Sequence, residues 1–264
     1  MSKHYKLVFY SRIFLFLAAF TGVYLEITRH GGFGMLLYYT VLSNLLVTIF
    51  TLYLLKVMSR VGENWQRPSL LRLKGGVTMS IMITCVIYHF LLAPIATNFY
   101  TLENFLCHYI VPIWFLADTL FFDKQGQYKI WDPAVWTILP FLYMMFALFN
   151  GLVLKLNIPN AKDNPFPYFF LNVNKGWNVV FKWCLIIFVA YMVAGFIFYF
   201  IKQIKRKSSL YSSKISSNHV SSICNLKTSP SATSKHCFEQ PAASFLVCSL
   251  IFIEYKIQGI HFRI

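Results

Sequence analysis

Six separate runs of about 20 mostly apolar residues dominate the chain, and a run of that length is what a helix needs to cross a bilayer. They are Leu7–Ile27, Met35–Met58, Gly75–Ala96, Leu102–Phe122, Val135–Leu154 and Val179–Ile201. In hydrocarbon every backbone polar group must be satisfied within the protein, so such runs fold as helices. The expected fold class is therefore all-α, a six-helix transmembrane bundle. Composition agrees: 57% of the 264 residues are hydrophobic and 12% charged, against about 25% charged in soluble domains. Tyr and Trp near the run ends, such as Tyr100, Trp131, Trp136, Tyr168 and Trp177, match the aromatic belt of membrane interfaces.

The net charge of +15 would suggest nucleic acid in a soluble protein. Here the basic residues sit in connections between apolar runs, and no nucleic-acid partner is expected. Thirteen Lys and Arg lie at the N-terminus, in the second and fourth connections and just after the sixth run; four, Arg29, Lys155, Lys162 and Lys175, lie on the other side. This bias puts both termini in the cytoplasm. Arg12, inside the first run, is expected to snorkel to that surface. The six cysteines show no CxxC spacing, so neither a zinc site nor a redox pair is indicated, and no cofactor is expected.

Residues 1–207 read as the transmembrane domain. Residues 208–264 change character: they are Ser-rich and without periodicity, which reads as a disordered tail. A short apolar patch there, Ala242–Ile253, is too short to span. The outer connection Lys155–Asn178 contains NPFPYFF at 164–170. Its prolines exclude helix, and its aromatics suit either a flap over the outer mouth of the bundle or a set of interfacial anchors.

The fourth run places an ionisable side chain, His108, at membrane depth, where such groups mark functional sites. With alternating helix directions, Thr40 in the second run lies about 8 Å below the outer end at roughly 1.5 Å per residue. His89 in the third run and His108 in the fourth reach a similar depth. Asn44 lies one turn from Thr40 on the same face, Asn104 one turn from His108, and Asn150 near the outer end of the fifth run. These positions suggest one polar pocket, with Thr40 as nucleophile, His108 as its base, and Asn44, His89, Asn104 and Asn150 as binding residues. Asn44 or Asn104 would donate to an oxyanion. Hydrogen bonds that merely bridge helices use the same residue types. Paired histidines at one depth also satisfy the minimum for haem ligation, and bending prolines at Pro94, Pro112 and Pro140 suit a transporter.

YYTVLSNLLV at 38–47, VIYHFLLAP at 86–94, NFLCHYIVPIWFLADTLFFD at 104–123 and the NPFPYFF loop resemble the signature stretches of a largely bacterial, uncharacterised family of six-helix integral membrane proteins. The resemblance covers roughly residues 5–205 and implies a multi-pass protein of the bacterial cytoplasmic membrane. More distantly, the arrangement is similar to the androgen-induced and androgen-dependent animal membrane hydrolases of fatty-acid esters of hydroxy fatty acids. That likeness implies a threonine nucleophile at Thr40 and a histidine at His108, with membrane lipids as partners and a lipid ester or small hydrophobic molecule as substrate. The reading is an intramembrane Thr/His hydrolase or acyl transferase; the alternative is a non-enzymatic small-solute transporter or binding protein.

Overall fold

The computed structural model describes residues 2–96 and 100–223, with side chains described to residue 203. Six helices are long and apolar enough to cross a membrane: α1 Lys3–His30, α2 Tyr39–Trp65, α3 Pro68–Ile95, α4 Leu102–Phe122, α5 Asp132–Leu154 and α6, whose apolar part is Trp177–Gln203. Each sequence run overlaps one of them; the second starts earlier, in the 3-10 turn Gly32–Leu37 before α2, and no strand occurs among the described residues. The last helix continues to Ile223, past Lys207, where the sequence changes character. The remainder of the expected disordered tail and the apolar patch at 242–253 lie outside the described residues.

Local chemistry sets the ends. Ser2 caps α1 by accepting from the Tyr5 N–H at 3.2 Å, the capping role short hydroxyl residues favour. Pro68 opens α3, where its missing N–H costs nothing. Thr101 accepts from the Asn104 N–H at the start of α4. Pro140 sits inside α5 and cannot bond the carbonyl of Trp136; the Tyr191 hydroxyl of α6 donates to that carbonyl at 3.0 Å instead.

Helices α1–α4 form the tight part of the bundle. Leu15, Ala19, Val47, Leu54, Leu71 and Phe115 are at most 1% exposed and meet in one cluster. Gly22 brings α1 close to α4, since a Cβ there would lie 2.9 Å from the Cys107 Sγ. Hydroxyl pairs bridge the helices: Ser43 with Thr84 at 2.8 Å and Thr78 with Thr119 at 2.9 Å, each bond contributing perhaps about 0.5–2 kcal/mol. Helices α5 and α6 are peripheral. Their most apolar stretches are 17% buried, against 50% for α2.

The inner, basic end departs from the sequence expectation. Arg12 does not snorkel. It is fully buried, stacks on Trp65 with its guanidinium carbon 4.0 Å from the ring centroid, and donates to Asp118 at 3.0–3.2 Å and to Asp123 at 3.1 Å. Lys74 also joins Asp118 and binds Asp123 at 2.8 and 2.9 Å. Lys202 donates to the carbonyls of Thr119 and Asp123. The bundle thus holds paired charges drawn from α1, α3 and the end of α4, which single-span inspection could not reveal: each group is affordable there only because its partner arrives from another helix.

Candidate functional site

The outer half of α4 contains one π-helical turn, Leu106–Ile110. In it the Val111 N–H bonds the carbonyl of Leu106 rather than that of Cys107. The freed Cys107 carbonyl accepts from the Asn44 side-chain amide at 2.9 Å, tying α4 to α2. Turns of this kind recur at functional sites, and this one carries His108.

His108 is buried and fixed on three sides. Its ring stacks on Tyr88 of α3 with centroids 3.7 Å apart. Its Nδ1 lies 3.1 Å from the Asn104 carbonyl. A carbonyl only accepts, so Nδ1 carries the proton and Nε2 presents a lone pair. That lone pair faces the Thr40 hydroxyl, with Oγ1 3.3 Å from Nε2. The hydroxyl can donate to a nitrogen whose tautomer is already set for accepting it. The two side chains come from separate helices 68 positions apart.

The outer connection supplies a third group. Asn150 at the end of α5 donates to the carbonyl of Pro165 at 2.9 Å and accepts from the Leu156 N–H at 3.3 Å. Phe166 lies against Gly151, whose missing side chain makes the room; a Cβ would fall 2.0 Å from the Phe166 ring. Held this way, the loop sends Tyr168 inward, stacked on Phe170. The Tyr168 hydroxyl accepts from the Tyr39 N–H at 3.1 Å, beside Thr40. Burial pushes the Tyr168 phenol above its usual range, so it stays protonated and can donate at neutral pH.

Thr40 forms part of the wall of a cavity of ≈ 420 Å³ between α2, α3, α5 and α6. Its lining is nearly all apolar, including Ile83, Ile87, Met144, Phe170 and Phe188, and it also takes in Tyr39, Thr40 and Tyr168. The volume lies in the range of small-molecule sites, about 300–1,000 Å³.

The predicted residues therefore separate. Thr40, His108, Asn104 and Asn44 are together. Asn104 orients His108 through its carbonyl. Asn44 spends its amide donor on the carbonyls of Thr40 and Cys107, which makes it a brace between helices rather than an oxyanion donor. Asn150 is bound to the outer loop. His89 is exposed and contacts the Tyr109 hydroxyl at 3.3 Å, so it does not join Thr40 and His108. Sequence reasoning had the loop as a flap or a set of anchors and did not single out Tyr168; no spacing rule connects residue 168 to residue 40. Comparison of the chain with protein-family models, with curated proteins and with solved structures gave no match.

Proposed function

We propose that this six-helix membrane protein is an intramembrane hydrolase or acyl transferase acting on lipid esters, with Thr40 as nucleophile and His108 as general base. The observation that carries the reading is the Thr40 Oγ1 to His108 Nε2 contact of 3.3 Å, formed by a histidine whose other nitrogen is committed to a carbonyl. A threonine hydroxyl is a weak nucleophile until an adjacent base takes its proton. In the first step Oγ1 bonds the ester carbonyl carbon and its proton passes to Nε2. The carbonyl oxygen becomes an oxyanion, toward which the Tyr168 hydroxyl can donate. Collapse breaks the ester C–O bond, and the departing alcohol takes the proton from Nε2. Water, deprotonated by the same nitrogen, or a second alcohol then releases the acyl group from Thr40.

The apolar lining favours this reading over passage of a small polar solute, which would leave its polar groups unpaired along the wall. The distant likeness to the androgen-induced and androgen-dependent hydrolases points the same way, and a bacterial cytoplasmic membrane is the location the nearer resemblance implies.

The test is labelling by a fluorophosphonate probe together with turnover of ester lipids by purified protein. Thr40→Ala is expected to abolish both, and His108→Ala to slow both by about 100–10,000-fold, with melting temperatures close to that of the unaltered protein. Equal labelling and turnover in folded variants would overturn the assignment.

A further inference from the structure

The cavity beside Thr40 is extended along α6 and is partly open. Along α6 its lining runs from Phe181 to Tyr191, about 15 Å at roughly 1.5 Å per residue. Along α5 it runs from Met144 back to Thr137. Because α5 and α6 run in opposite directions, both series lead from the Thr40 end toward the interior of the membrane. Thr40 and Tyr168 line its outer end, the Tyr39 hydroxyl reaches deeper to Ser80 of α3 at 2.8 Å, and the remaining walls are apolar save for single hydroxyls and a thiol.

Thr137 and Tyr191 line the inner end. Tyr191 is 6% exposed, and its hydroxyl is anchored to the carbonyl that Pro140 leaves free, so this floor cannot easily swing away. The open side lies along the seam of α5 and α6. Phe181 and Leu185 line the cavity yet are 66% and 63% exposed, and at their depth the surroundings are hydrocarbon. Such an extended, mostly apolar cleft suits a hydrocarbon chain and offers a polar head few partners along its walls.

We propose that the slot takes one linear acyl chain, which slides in sideways from the outer leaflet between α5 and α6, places its ester carbonyl at Thr40, and is measured for length by the floor at Thr137 and Tyr191. The inference deepens the acyl-transfer reading and rests on it for the role of Thr40. The chain-binding part makes its own prediction.

The experiment uses the full-length protein in liposomes with a fatty acid carrying a diazirine near its methyl end, followed by peptide mapping of the photo-adducts. Adducts are expected on the segments 137–144 and 184–191. Thr137→Phe, which fills the inner end, is expected to reduce these adducts at least fivefold and to shift ester turnover toward short acyl chains. Tyr191→Ala, which lowers the floor, is expected to keep the adducts and shift turnover toward long chains. A misfolded variant would lose both, so opposite shifts separate chain measurement from loss of structure. Adducts spread evenly over lipid-facing positions such as Leu152 and Val193, unchanged by Thr137→Phe, would overturn the proposal. Confined adducts without turnover in any variant would retain the chain site and reject the chemistry at Thr40.

Discussion

Thr40 stands in the first turn of α2, where backbone N–H groups lack helical partners, and Tyr168 supplies an acceptor for one of them. The same hydroxyl sits next to Thr40, so a helix cap lies beside the proposed nucleophile. Tyr168→Phe keeps the ring stacking on Phe170 and removes only that oxygen. Stability is expected to fall by about 0.5–1.5 kcal/mol, while turnover of an ester lipid falls by about 100-fold, as for a lost oxyanion donor. Turnover within twofold of the parent would reduce Tyr168 to a helix cap. At this scale the sequence was informative about depth and blind to direction. Counting residues from helix ends put Thr40 and His108 level, and they touch. The same counting put His89 and Asn150 level with them, yet one faces outward and the other faces the loop. Depth follows from the rise per residue, whereas the angle around the helix depends on how each helix rolls against its neighbours.

Among the elements, the outer connection is the one whose folding a linear reading describes least. Its prolines exclude helix, but its path is dictated by side chains far away: Asn150 holding Pro165, and Gly151 making room for Phe166. Asn150→Ala is expected to destabilise the docked loop by about 1–3 kcal/mol, because buried loop backbone groups lose their partner. Hydrogen exchange at 156–171 should accelerate while α2 and α3 keep their protection. A second tie is acid-sensitive. Burial acts to raise the Asp163 carboxyl, but hydrogen bonds from Lys175 and Asn172 outweigh it and bring it below its ordinary 3.8. The folded loop thus holds this group ionised more strongly than an open chain does. Its contribution is complete above the ordinary value and fades as pH falls through the lowered one. Exchange in 163–175 is expected to rise at pH values below about 4 and to lose that rise in Asp163→Asn; identical profiles for both proteins would refute the tie.

For the whole molecule, six spans and their alternation were legible because length, hydropathy and loop charge each act locally. The charge cluster at the inner end was not. Arg12 alone looks like a side chain within reach of the surface, and only the approach of α3 and α4 turns it inward. Removing one carboxylate leaves two buried cations sharing the other, and breaking a buried pair costs about 3–5 kcal/mol in comparable sites. Asp118→Asn should therefore lower the melting temperature sharply. Adding Lys74→Met should restore part of the loss, since the double change removes one charge of each sign; additive losses would show that the two groups do not act as a pair.

That cluster also imposes an order on biogenesis. Arg12 and Lys74 leave the ribosome ahead of Asp118 and Asp123, Arg12 by 106 positions in the case of Asp118. Nascent chains emerge N-terminus first, so two cations must wait at or near the lipid boundary until the carboxylates of the fourth segment arrive to neutralise them. Translation halted before residue 118 would yield a fragment with stranded positive charge, a natural substrate for membrane quality control.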